Sequence, residues 1–213
     1  MKKLSIEHPF FDFMGSLGDW MILNVLFVLT SLPVITAGAS LTAIYKVALR
    51  RVRKESRYAA REYFQAFREE WKESTRLWLV FLCTGGILLF DVLYGKNLPG
   101  ILNIAIGCLV VLWCFAFTYA FPLQARFRNS MKNTLANALF LALRNLPLTV
   151  IMAGLNSIPA VCIASGAFVV MAVMPVFCII GFSLIIWINS LLLTVIFNKW
   201  IHMKEEDKDE NQA

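Results

Sequence analysis

Apolar stretches alternate with densely charged ones along this chain. The apolar stretches cover residues 20–45, 77–94, 100–121 and 145–198, and Asp91 is the single charge among them. A helix needs about 20 mostly apolar residues to cross a hydrocarbon core about 30 Å thick, so each stretch is long enough for at least one crossing. Pro33 and Gly38 interrupt the first near its middle. Proline removes a helical donor and glycine loosens the backbone, so Pro33, Thr36 and Gly38 are expected to form a tight extracytoplasmic turn packed within the bundle. The first helix then begins near Phe11 and the second reaches about Arg50. Residues 77–94 and 100–121 are separated by Gly95-Lys96-Asn97-Leu98-Pro99 and read as a hairpin. The last stretch has room for two spans and a connection, with breakers at Pro159, Ser165-Gly166 and Pro175. The expected fold is all-α, a polytopic transmembrane helix bundle of about six spans, or five if the first stretch crosses once.

Two charged connectors carry helical periodicity. Ala60, Phe64, Phe67, Trp71, Thr75 and Trp78 recur at steps of three or four, opposite a face holding Arg57, Arg61, Glu62, Arg68, Glu69, Glu70, Lys72, Glu73 and Arg76. Glu69 with Lys72 and Glu73 with Arg76 are spaced for intrahelical pairing. One reading is an interfacial helix lying aromatic side down on the headgroups. The other is a docking surface formed by Phe64, Phe67, Glu69, Glu70, Trp71 and Glu73, because mixed charge suits a protein partner better than anionic lipid. A second stripe comprises Leu123, Phe127, Met131, Leu135 and Ala138. The equivalent placing of the two connectors raises an internal repeat of helix, amphipathic connector and helix.

Composition turns these patterns into a statement about solvent. Of the 213 residues, 59% are hydrophobic and only 16% charged, and mean hydropathy is +0.67. A soluble domain of this size is excluded, since soluble domains carry about 25% charged residues. Residues 1–200 read as a single membrane domain and 201–213 as a charged cytoplasmic tail. With six spans and both termini in the cytoplasm, Lys96 is the only one of the 20 basic residues left outside. The formal charge of +6 therefore reports topology and contact with the lipid bilayer, and nucleic acid is not an expected partner. The expected location is the cell membrane, multi-pass. Lys2-Lys3 is followed by Glu7, His8, Pro9 and Asp12 instead of a short apolar core, so the first apolar stretch is expected to persist in the mature protein.

Chemistry is sparse. Cys83, Cys108, Cys114, Cys162 and Cys178 lie in apolar stretches without C-x-x-C spacing, and His8 and His202 stand apart from other ligand residues. No G-x-S-x-G, H-E-x-x-H or Walker-type loop occurs. No enzyme activity, metal or cofactor is expected. Asp91 is an intramembrane polar candidate, placed near the outer end of its helix where it can reach water or Lys96. Lys46 is expected to snorkel to the headgroups, and Asn24, Asn103, Asn156 and Asn189 to bond between helices.

The run Leu32-Pro33-Val34-Ile35-Thr36-Ala37-Gly38-Ala39-Ser40, followed by Ala43-Ile44-Tyr45, resembles the signature of the YesL-like family of bacterial membrane proteins. Tyr63-Phe64-Gln65-Ala66-Phe67-Arg68, Trp71-Lys72-Glu73-Ser74-Thr75 and Phe121-Pro122-Leu123-Gln124-Ala125-Arg126-Phe127 resemble its other segments, so the likeness runs from about Phe10 to Trp200. That family is a domain of unknown function, and no functional residue carries over. Its setting near carbohydrate-uptake ABC transporters implies a non-enzymatic accessory role, with permease or ATPase subunits of a sugar ABC transporter as partners. The alternative is a small secondary transporter acting alone.

Overall fold

The computed structural model describes residues 9–56, 58–95, 99–127 and 129–210, and the side chains within 15–201 of these. Their regular structure is entirely helical: α1 (Pro9–Ser31), a short 3-10 turn (Val34–Thr36), α2 (Ala37–Val52), α3 (Ala59–Tyr94), α4 (Gly100–Arg126), α5 (Met131–Arg144), α6 (Leu146–Ala164), α7 (Ala167–Val176), a π-helical segment (Phe177–Gly181) and α8 (Phe182–Glu210). Four helical stretches, Ala59–Tyr94, Gly100–Arg126, Leu146–Ala164 and Ala167–Ile201, are long and apolar enough to cross a bilayer. No more than 11% of each apolar stretch is buried inside the protein. Such an outward apolar surface belongs against lipid, as in a multi-pass membrane protein.

The most enclosed element is α2. Its Gly38, Ala39, Ser40, Thr42, Ala43, Ile44, Tyr45, Val47, Ala48 and Leu49 are all buried. Small side chains dominate this list, and they let the neighbouring backbones come close, which is how helices associate where lipid removes the hydrophobic drive between them. Against α2 lie α1, α3, α4 and α8.

The expected turn exists, at a different height. Pro33 precedes the 3-10 turn, and the Thr36 hydroxyl donates to the carbonyls of Thr30 and Pro33 and ties it closed. Trp78 Nε1 donates to the Val34 carbonyl at 2.7 Å. From Trp78 the third helix runs on to Tyr94, about 24 Å at 1.5 Å per residue. The turn therefore stops well short of the end where α3 leads into α4. With 16 residues, α2 is itself shorter than a full crossing. The α1 and α2 pair is a hairpin whose turn lies beside the middle of α3.

The amphipathic connector and the span that follows it are one helix. Nothing between Thr75 and Leu77 breaks α3, and its first half is rich in Ala, Glu, Arg, Gln and Lys, all good helix formers. The second stripe is divided instead: α4 ends at Arg126, an extended Phe127 follows, and α5 starts at Met131. The two connectors are thus built differently, one continuous with its span and one a separate helix, so the repeat does not extend to their structure. Beyond Leu146 the chain turns at Ser165 and Gly166, where Gly166 has φ +104°. Only glycine adopts that backbone at little steric cost. Pro159 and Pro175 stay inside helices. The charged tail continues α8 as far as Glu210, and residues 211–213 lie outside the described residues, as do Lys2, Lys3, Lys96 and His8.

Candidate functional site

The buried face of α3 is rotated from the aromatic stripe by one residue. Ala59, Tyr63, Ala66, Glu70, Ser74, Leu77 and Phe81 are buried, each of the first six lying one position before a member of the stripe Ala60, Phe64, Phe67, Trp71, Thr75 and Trp78. The small side chains of this face admit α2 closely. A Cβ on Gly38 would sit 2.7 Å from the Ser74 carbonyl oxygen and closer still to Trp78 Cβ. The aromatics are left at the flank, with Phe64 49% and Trp71 39% exposed. Phe67 is half-buried, stacked on Tyr63 at 6.4 Å and edge-on to Trp71 at 5.2 Å.

The rotation brings a charge inside. Lys46 Nζ on α2 meets Glu69 Oε2 at 2.9 Å and Glu70 Oε1 at 3.0 Å. The second oxygen of Glu70 accepts from Gln124 Nε2 on α4 at 3.4 Å, and Gln124 Oε1 accepts from the Thr134 hydroxyl on α5 at 3.3 Å. This chain of polar groups joins four consecutive helices. Burial pushes the Lys46 ammonium down, but the hydrogen bonds and charges of Glu69 and Glu70 outweigh it and hold its pKa above the usual lysine value. Lys46 is therefore engaged inside the bundle instead of snorkelling outward. Glu70, only 6% exposed, is likewise an internal partner and not part of an accessible surface. Glu69 and Glu73 remain exposed. Glu73 pairs with Arg76 at 2.9 Å as its spacing predicts, while Glu69 turns to Lys46 and accepts from Gln65 at 2.9 Å. Two further pairs, Arg50 with Glu62 at 3.4 Å and Arg51 with Asp19 at 2.7 Å, bind α2 to α3 and α1 near the same end.

A second polar chain crosses the interior. Asn189 Nδ2 on α8 donates to the Tyr45 hydroxyl at 3.4 Å and to Asn156 Oδ1 on α6 at 2.7 Å. Asn156 Nδ2 in turn donates to the Thr118 hydroxyl on α4 at 3.4 Å. Asn24, Asn156 and Asn189 thus bond between helices as their placement suggests. Asp91 is half-buried near the end of α3, and its backbone carbonyl accepts from the N–H of Gly95.

Lys46, Gln124 and Thr134 were not legible as one cluster, because the contact spans three helix pairings. The available signal was Glu70, the one charge on an otherwise small and apolar helical face.

Residues 20–92 match the model of a family described as Protein of unknown function, DUF624. The matched segment holds the second half of α1, all of α2 and nearly all of α3, including Gly38, Lys46, Glu69, Glu70 and Trp78. No curated protein and no solved structure matches the chain.

Proposed function

We propose that this chain is a non-enzymatic membrane accessory protein that docks a partner through the exposed flank of the first half of α3. The observation that carries this reading is the pairing of exposed Phe64 and Trp71 with exposed charges of both signs, Arg61, Arg68, Lys72 and Glu73, on a helix already anchored on its other face. An anchored helix with a free aromatic flank offers rigid hot-spot side chains, and the mixed charges give electrostatic complementarity to a protein. On the resemblance to the YesL-like family, the partner is the permease or ATPase of a carbohydrate ABC importer.

The basic residues cluster at the end of the bundle where α2 meets α3 and α4 meets α5, which by the positive-inside rule faces the cytoplasm of the cell membrane. Four full crossings are an even number, and the α1 and α2 hairpin enters and leaves from the basic side. Both termini then lie in the cytoplasm, the same outcome as six full spans.

The test is affinity purification of the whole protein from its native membrane. Importer subunits co-purify with the wild type and are lost with Phe64→Ala combined with Trp71→Ala, while Glu73→Lys weakens the complex. Unchanged stoichiometry across these variants refutes docking and leaves an interfacial anchor.

A further inference from the structure

A half-open cavity of about 230 Å³ lies between the helices, lined by residues of α1, α2, α3, α4, α6 and α8. No charged side chain is among its lining residues. Its walls are aromatic: Phe27 tilts against Phe182 at 5.6 Å on one side, and Trp78 against Phe117 at 6.3 Å on the other. Ser31, Tyr45 and Asn156 supply its polar groups. This space equals several water volumes of about 30 Å³ each, enough for a compact organic molecule.

The polar groups have unused capacity. Ser31 Oγ is buried without a partner. The Tyr45 oxygen accepts from Asn189, and no hydrogen bond within the described residues takes the Tyr45 hydroxyl proton. Asn189, fully buried behind Tyr45 and Asn156, has its Oδ1 unpaired. Buried polar atoms left without partners in a native protein call for an occupant that supplies them. An occupant beside Tyr45 that accepts a hydrogen bond satisfies the Tyr45 hydroxyl proton directly. Carboxylates and amines do not suit the lining, because it offers no countercharge and a desolvated ion is costly. A pure hydrocarbon leaves the polar atoms unpaired. Helix irregularities adjoin the cavity on two sides, since Pro159 lines it from α6 and Phe182 follows the π-helical segment directly. Such interruptions mark functional positions in helices and allow local movement without breaking the bundle.

We propose that this cavity is a binding site for a small uncharged molecule with an apolar body and a hydroxyl group, the hydroxyl accepting from Tyr45 while the body packs between the two aromatic pairs. The site is independent of the docking flank on α3, so each can fail without the other.

Cyclohexanol and methylcyclohexane have nearly the same shape and differ in the hydroxyl, which makes them a matched probe pair. Saturation-transfer NMR on the whole protein in nanodiscs, with empty nanodiscs subtracted, measures binding apart from partition into lipid. The wild type is expected to prefer cyclohexanol by about tenfold, the worth of one or two net hydrogen bonds. Tyr45→Phe keeps the shape of the wall and should erase the preference, and Leu41→Phe, which narrows the cavity, should weaken both probes. Equal binding of the two probes identifies an apolar void and overturns the proposal. Binding of neither, as for a cavity holding only water, also overturns it, as does a preference that survives Tyr45→Phe.

Discussion

The side-chain oxygen of Asn24 accepts the backbone N–H of Ser183 at 2.9 Å, across 159 residues of sequence. Its amide donates to the carbonyls of Phe177 at 2.9 Å and Cys178 at 2.7 Å. These groups belong to the π-helical segment and the first turn after it, where the regular ladder of backbone bonds is disturbed. Within a bilayer no water replaces a missing partner. One asparagine on α1 therefore satisfies the irregular stretch of a helix at the other end of the chain. Replacing Asn24 by leucine removes all three bonds, at about 1–3 kcal/mol for each buried group left unpaired. The thermal midpoint in detergent should fall markedly for Asn24→Leu. An unchanged midpoint for the leucine variant means that the π segment has found other partners.

Gly38 and Gly86 form a matched pair for testing the close approach of α2 to α3. A Cβ at Gly38 meets the Ser74 carbonyl at 2.7 Å, whereas one at Gly86 meets nothing within 4 Å. Overpacking a tight contact costs about 1–3 kcal/mol and more against rigid backbone. Gly38→Leu should sharply lower the yield of folded protein in size-exclusion chromatography, and Gly86→Leu should leave it near wild type. Equal yields would show that the two helices separate readily.

The cluster around Lys46 separates structural charge from surface charge. Lys46→Met strands Glu70, whose side chain is 8% exposed, and removing one partner of a buried pair costs about 3–5 kcal/mol. Glu69 is exposed enough for Glu69→Gln to cost no more than about 1 kcal/mol. Combining Lys46→Met with Glu70→Met should recover much of the loss, since both buried charges are then gone. Chemical denaturation of the wild type, Lys46→Met, Glu70→Met and the double variant measures the coupling, and additive effects would dissolve the assignment of Glu70 as the buried partner.

Orientation can be read by cysteine accessibility after removal of the five native cysteines. A reagent that cannot cross membranes should label Tyr94→Cys, at the exposed end of α3, from outside intact cells. It should label Gln65→Cys only after the membrane is opened. The reverse pattern would invert the bundle.

Helical class and membrane solvent were determined by the sequence itself, because both follow from local composition. Long apolar stretches admit only lipid around them, and a helix satisfies its own backbone wherever it lies. The break at Pro33 and the turn at Gly166 are local in the same sense, set by the backbone chemistry of proline and glycine. The direction of helix faces was not local. The apolar stripe of α3 does not turn inward, because close packing against α2 selects the small face holding Ala59, Ala66 and Ser74 and leaves Phe64 and Trp71 exposed. That choice turned α3 by one residue, drew Glu70 inward and committed Lys46 to it. It also fixed the height of the hairpin, because the place where Gly38 can approach Ser74 lies beside the middle of α3 and not at its end. The reach of Asn24 to Ser183 and the meeting of Tyr45, Asn156 and Asn189 likewise depend on how separate helices assemble, a property that no stretch of the chain carries alone.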